Sequence, residues 1–182
     1  MKKILPAIAI SFVFTALMAS QLIINGQELS ASLTQKNNSR FSLFEDQFQK
    51  LQATSSTGKV IDLKSLKEPI IILNFWASWC LPCLAEFPSL NRLSETYPKK
   101  IKVIGINNDT EDVEKSVKKI QEKYSLNFES IIDTAGEFAD KFKVMSLPAT
   151  IVFHKGKVIK FITTEYDFMS SEFLSVVEKR AK

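Results

Sequence analysis

Cys80 and Cys83 are the only cysteines in the 182-residue chain, and they stand in a Cys-Leu-Pro-Cys spacing. A bridge between them closes a loop of four residues. So short a loop removes little chain entropy, which makes the pair a redox or metal element rather than a staple. Structural zinc takes four ligands, and the only other Cys or His available is His154. Structural zinc is excluded on that count. What remains is thiol chemistry, in which a thiolate attacks a disulfide through a mixed-disulfide intermediate.

The flanking residues supply the setting that this chemistry needs. Ile70 to Phe75 is an apolar run broken only by Asn74, the pattern of a strand buried on both faces. Leu81 to Tyr97 has helical periodicity, with Leu84, Phe87, Leu90 and Leu93 on one face and Pro98 as its stop. Cys80 therefore falls where a helix N-terminus presents unpaired N–H groups and partial positive charge. Both favour a thiolate: a free thiol titrates near about 8.5, and CxxC thiols at helix starts fall to roughly 3.5–7.5. Cys83 lies one turn on, placed to resolve the mixed disulfide. Pro82 in the first turn gives up an N–H that would be unpaired anyway.

The other elements follow from the same rules. Phe41 to Gln52 is ambiguous: Phe44, Phe48 and Leu51 fit a helical face, while Phe41 and Leu43 alternate as in a strand. Thr57-Gly58-Lys59 is a turn before a strand over Val60 to Leu63. A second buried strand is expected over Ile101 to Ile106. A helix is expected over Thr110 to Tyr124, N-capped by Asp109 or Thr110, with Val113, Val117, Ile120 and Tyr124 inward. A short strand over Phe128 to Ile132 and a short helix over Gly136 to Phe142 come next. Strands over Thr150 to Phe153 and Val158 to Ile162 flank Lys155-Gly156 as a hairpin turn, and Ser170 to Lys182 is a closing helix. This order predicts an α/β fold with a central mixed β-sheet flanked by helices. Pro88 is expected to kink the active-site helix, and His154 to be exposed at a strand end.

Composition sets the outer limits. Hydrophobic residues make up 45% of the chain and charged residues 24%, as in a soluble globular domain. Lys2 and Lys3 supply two of the four net positive charges, so the remainder is too weakly basic for nucleic-acid binding. Those two lysines precede an uncharged run from Ile4 to Ile24, which reads as an export signal or membrane-spanning anchor. Cleavage after Ala19 would put Leu17, and after Ser20 Met18, where a small residue is preferred. An uncleaved signal anchor is therefore expected ahead of a removed signal peptide. No Cys follows the run, which excludes a bacterial lipoprotein anchor. Residues 1–24 are assigned to the anchor or signal, 25–40 to a polar linker and 41–182 to the folded domain. The positive-inside rule sends that domain out of the cytoplasm, into a compartment where disulfides persist.

The segment IILNFWASWCLPCLAEFPSL resembles the active-site region of the thioredoxin superfamily, in particular its TlpA/ResA-like branch of membrane-anchored bacterial thiol–disulfide oxidoreductases. Gly58-Lys59 with Leu63, Asn74 to Ala77, the WCxPC, Glu86 with Pro88, and Leu147-Pro148 fall in family order from about Phe48 to the chain end. The resemblance implies a thioredoxin-like fold, with Cys80 as solvent-exposed nucleophile and Cys83 as buried resolving thiol. It implies that Pro148 is a cis-proline beside the disulfide, letting the backbone at Leu147 pair with an extended substrate strand. Leu147 departs from the Thr or Val usual there. Asn74 stands where cytoplasmic thioredoxins carry a buried Asp. An amide relays no proton at neutral pH, and the branch instead places a Glu where Glu86 stands. Glu86 shares a helix face with Cys83 and is a candidate for tuning thiol acidity or moving a proton; the alternative is a solvated helix charge. Trp79 is expected to shelter the disulfide and join a docking surface, and Trp76 to pack in the core.

The resemblance further implies exchange without a cofactor on protein disulfide substrates. The candidate roles are cytochrome c maturation, with apocytochrome c and its CxxCH thiols as substrate, or periplasmic redox homeostasis. A membrane electron-donor thiol–disulfide protein would resupply reductant, and the chain itself is expected to be monomeric. A peroxiredoxin would want Pro and Thr in a P-x-x-x-T-x-x-C frame, where this chain has Leu73 and Ala77. A copper-binding assembly factor on the same fold is the alternative function, with His154 as the only distal histidine.

Overall fold

The structure is a computed structural model that describes residues 20–21 and 41–180. The anchor-or-signal and linker assignments fall, apart from residues 20–21, outside those residues. The chain divides into two compact units, Met1–Ser42 and Leu43–Lys182. In the first, the described residues 20–21 and 41–42 are helical. Among the described residues no helix is long and apolar enough to cross a membrane.

The second unit is built on a mixed sheet. Residues 41–50 form helix α1, so helical spacing decides the ambiguous stretch. Strands β1 (Gln52–Thr54) and β2 (Val60–Asp62) pair as an antiparallel hairpin. The central sheet contains β3 (Ile70–Trp76), β4 (Ile101–Asn107), β5 (Glu129–Ile132), β6 (Ala149–His154) and β7 (Lys157–Ile162). Their order is β5-β4-β3-β6-β7. β3 runs parallel to β4 and β4 to β5, while β6 is antiparallel to β3 and β7 to β6. Lys155 and Gly156 turn the last hairpin with φ of 50° and 77°, the left-handed geometry that two-residue hairpin loops favour.

All seven residues of β3 are buried, as its apolar run demands. One face meets α2 (Leu81–Thr96), α3 (Val113–Lys123) and α5 (Ser171–Arg180). Ile70, Ile72 and Trp76 share one apolar cluster with Leu84, Phe87, Leu90, Leu93, Val117, Ile120, Phe173 and Val177. On the other face Phe75 stacks edge-on against Phe142, at the end of α4 (Glu137–Lys141). Phe44 and Phe48 of α1 pack on Phe161 and Phe153 there. Helices thus cover both faces of the sheet, and the mouth of the α2 side carries the cysteines.

Two local expectations need correction. Helix α3 begins at Val113, after Asp112 in the left-handed region, with no side-chain cap. Neither Asp109 nor Thr110 caps it, because the Asp109 carboxylate is turned toward Ser78 instead. His154 is half-buried rather than exposed, and burial, with Lys155 and Arg180 nearby, pushes its imidazole below its usual pKa.

Candidate active site

Cys80 and Cys83 form a disulfide, with their Cα atoms 5.3 Å apart. Cys80 is the N-cap of α2 with extended backbone, and its Sγ accepts from the Cys83 N–H at 3.3 Å. The helix start thus aims an N–H at the first sulfur, which is the electrostatic arrangement that stabilises a thiolate. Pro82 occupies the first turn, as its missing donor permits. The sulfur expected to be solvent-exposed is largely covered: Cys80 is 4% exposed and Cys83 0%. The order of accessibility between them is as expected. Trp79 and Leu81, on either side of Cys80, are 69% and 75% exposed. Trp79 therefore stands beside the disulfide as a surface-forming ring, and Trp76 is fully buried against Phe87.

Behind the disulfide lies a buried polar cluster. Glu86, one turn beyond Cys83 on the buried side of α2, is 1% exposed. The reading of Glu86 as a solvated helix charge is thereby removed. Its Oε2 accepts from Asn74 Nδ2 at 2.9 Å, and its Oε1 accepts from the Tyr166 backbone N–H at 3.0 Å. Asn74 Nδ2 also donates to Thr150 Oγ1 at 2.9 Å. Burial pushes the Glu86 carboxyl from 4.5 up to about 7, against the pull of the Asn74 and Tyr166 donors, and Glu165 adds to the rise. A carboxyl at that value exchanges its proton near neutrality, the property required of a proton carrier.

The Leu147–Pro148 peptide bond is cis. Pro148 is buried and precedes β6, while Leu147 packs partly buried against the cluster that holds both cysteines. The site's six expected residues thus come from the start of α2 and the entry to β6. These two places adjoin because β3 and β6 are neighbouring strands.

Residues 44–162 match the AhpC/TSA family. The chain belongs to the AhpC/TSA family. Within it, the chain is 38% identical over 114 residues to thiol-disulfide oxidoreductase ResA of Bacillus thuringiensis subsp. konkukian, covering 62% of this chain and 65% of that relative. It is 36% identical over 107 residues to the thioredoxin-like protein YneN of Bacillus subtilis, covering 58% and 62%. The matched segments thus span less than two thirds of those relatives' length. Among solved structures, a secreted Mycobacterium tuberculosis disulfide oxidoreductase homologous to E. coli DsbE superposes with a TM-score of 0.61 at 27% identity, covering 72% of this chain and 96% of that one. The resemblance to ResA-like proteins and the thioredoxin-like fold are therefore both found.

Two features of this AhpC/TSA-family chain bear on the competing chemistries. Leu73 and Ala77 are fully buried apolar residues, so no hydroxyl stands in the peroxidase frame. His154 pairs with Ile70 at the start of β3, whereas Cys80 follows that strand's far end. Seven strand residues put roughly 20 Å between those ends, so His154 cannot join the two sulfurs around one metal ion. Two participants escaped the sequence reading. Thr150 reaches Asn74 only through the β3–β6 register, and the Tyr166 donor arrives from 80 residues further along the chain. No local pattern marks either.

Proposed function

We propose that the chain is a thiol–disulfide oxidoreductase acting outside the cytoplasm, where it reduces protein disulfides through the Cys80/Cys83 dithiol. The observation that carries this reading is the sulfur of Cys80 accepting the Cys83 N–H at the head of α2, with both cysteines paired as a disulfide. The names of the relatives, thiol-disulfide oxidoreductase and disulfide oxidoreductase, support it.

In the reduced chain the Cys80 thiolate attacks one sulfur of a substrate disulfide. An S–S bond forms between Cys80 and substrate, and the other substrate sulfur leaves with the electron pair. Cys83 then attacks Cys80, its proton passing to a base. The Cys80–Cys83 bond forms and the second substrate thiolate departs. The substrate has gained two electrons and the chain has lost two. The exchange uses no cofactor. Glu86 is the base nominated, because it lies one turn from Cys83 and titrates near 7. Trp79, Leu147 and Pro148 would bind the substrate backbone beside the disulfide.

The placement outside the cytoplasm rests on Lys2, Lys3 and the uncharged run to Ile24, read as a signal anchor in the inner membrane or as a cleaved signal of a soluble periplasmic form. Reduction in an oxidising compartment needs a membrane electron donor of thiol–disulfide type. Apocytochrome c, which must present reduced CxxCH thiols, is the substrate proposed.

The test is reduction of insulin and of an oxidised CxxCH peptide by the full-length chain with excess dithiol. Catalysis of both, lost in Cys80→Ser, is expected. A chain that accelerates neither, with both thiols titrating like free cysteine, sinks the reading. A reduction potential near about −120 mV, that of a strong oxidant, would overturn the reducing direction.

A further inference from the structure

The loop that delivers Cys80 to the head of α2 is held by a residue far from it in sequence. Asp109, just beyond β4, is 2% exposed. Its Oδ1 accepts from the Ser78 backbone N–H at 2.9 Å and from Ser78 Oγ at 3.1 Å. Its Oδ2 accepts from Asn107 Nδ2 at 3.0 Å, and its own N–H donates to Asn107 Oδ1 at 3.2 Å. The adjoining backbone is pinned as well, with Asn108 N–H bonded to the Trp76 carbonyl at 2.9 Å and Cys80 N–H to the Ala77 carbonyl at 3.1 Å. Asp133 is engaged separately, by Asn108 Nδ2 and by the N–H groups of Phe138 and Ala139.

We propose that Asp109 is a positioning residue for Cys80: by gripping both donors of Ser78 it fixes residues 77–79, so that the Cys80 sulfur sits at the α2 N-terminus in its capping position. The inference rests on the reading of Cys80 as nucleophile. A carboxylate suits the task because one oxygen accepts two donors from the same residue while the other is fixed from β4. That tie makes the loop part of the sheet. Without it, Ser78 N–H and Oγ turn to water and the N-cap loses its fixed entry angle. Thiolate stabilisation by the helix start falls off within the first turn, so a small displacement of the sulfur changes its acidity.

The experiment measures iodoacetamide alkylation of Cys80 against pH in full-length chain carrying Cys83→Ser, and insulin reduction in chain with both cysteines. Asp109→Ala should raise the alkylation midpoint and lower kcat roughly tenfold, with KM changed less. Ser78→Ala, which keeps the N–H bond, should move both in the same direction by less. Asp109→Asn, which retains an oxygen for Ser78, should lie nearer wild type than Asp109→Ala. The proposal is overturned if Asp109→Ala lowers thermal stability but leaves midpoint and kcat unchanged. It is also overturned if Asp109→Asn shifts the midpoint downward, which would mark the charge rather than the grip as the active feature. If Asp109→Ala does not fold, Ser78→Ala and Asp109→Asn decide. A wild-type midpoint at the free-cysteine value would instead defeat the nucleophile reading itself.

Discussion

Asn74 Nδ2 lies 2.9 Å from Glu86 Oε2 and 2.9 Å from Thr150 Oγ1, so one amide nitrogen on β3 ties the helix carboxylate to β6. With the Tyr166 N–H on Oε1, both oxygens of Glu86 face nitrogen donors in a buried cluster. Donors stabilise the carboxylate and desolvation opposes it. Desolvation is the larger effect, and the carboxyl rises to about 7. If Cys83 is the resolving thiol, as proposed, Glu86 one turn away is placed to accept or return its proton near neutral pH, a task that Asn74 itself cannot perform.

Glu86→Gln should abolish a kinetic inflection near pH 7. If Glu86 takes the Cys83 proton, it must be ionised, and the resolution rate of wild type should climb through about 7. Stopped-flow measurement of the resolution step in both proteins checks this. A variant profile that superimposes on wild type removes Glu86 from proton transfer.

The same group makes stability depend on pH in a definite direction. Its folded value of about 7 lies above the ordinary 4.5, so the native state holds this proton more tightly than the unfolded chain. The contribution is fully present below 4.5 and is lost as pH rises toward 7, with a magnitude on the order of 3 kcal/mol. Urea unfolding at pH 4.5, 6 and 8 should show that decline in wild type and a flatter dependence in Glu86→Gln. Equal slopes would mean that Glu86 titrates normally.

Asn74→Leu should drive the Glu86 carboxyl above 7. The substitution removes the donor on Oε2 and adds apolar surface, and both changes disfavour the charged form. It also strands a buried carboxylate oxygen, at a cost of about 1–3 kcal/mol. The carboxyl 13C shift of Glu86, followed through a pH titration, reads the result directly. A downward shift would contradict the electrostatic account of this cluster.

The parts of this molecule that were legible in sequence are those governed by local pattern. The apolar run at Ile70 announces a buried strand, the Leu84-Phe87-Leu90-Leu93 spacing announces a helix face, and Cys80 falls between them. What escaped was set by contacts across the fold. Asp109 suits a helix cap by its neighbours in sequence, yet its carboxylate bonds Ser78, 31 residues away. Thr150 looks like any β-branched strand residue until the β3–β6 register sets it opposite Asn74, 76 residues away. Phe41 and Leu43 mimic strand alternation, but Phe44 and Phe48, one helical turn apart, are the pair that packs on the sheet.

Gly105→Ala should destabilise the domain without touching the site's chemistry directly. A Cβ there would lie 2.7 Å from both Ser130 Oγ and Trp76 Nε1. Both neighbours are fully buried, and Trp76 is braced edge-on against Phe87, so neither side chain has room to retreat. Overpacking of this kind costs typically about 1–3 kcal/mol, or roughly 2–12 °C in melting temperature for a domain of this size. Calorimetry on the variant decides the matter, and an unchanged melting temperature would show that the indole moves freely.

Cys83→Ser should convert a transient into a product. Cys80 retains its place as N-cap, because the donor it receives is the backbone N–H of residue 83 and not the side chain. The first exchange with substrate therefore proceeds. The second cannot, because a serine hydroxyl is not a competent attacking group against a disulfide, and the substrate remains bonded to Cys80. Cys80→Ser leaves Cys83 behind as the only thiol; it is fully buried in the disulfide form and should capture nothing. Non-reducing electrophoresis and mass spectrometry after incubation with an oxidised CxxCH peptide separate the two: an adduct of one peptide per chain on Cys80 in the first variant, and none in the second. An adduct in Cys80→Ser instead would reverse the roles assigned to the two sulfurs.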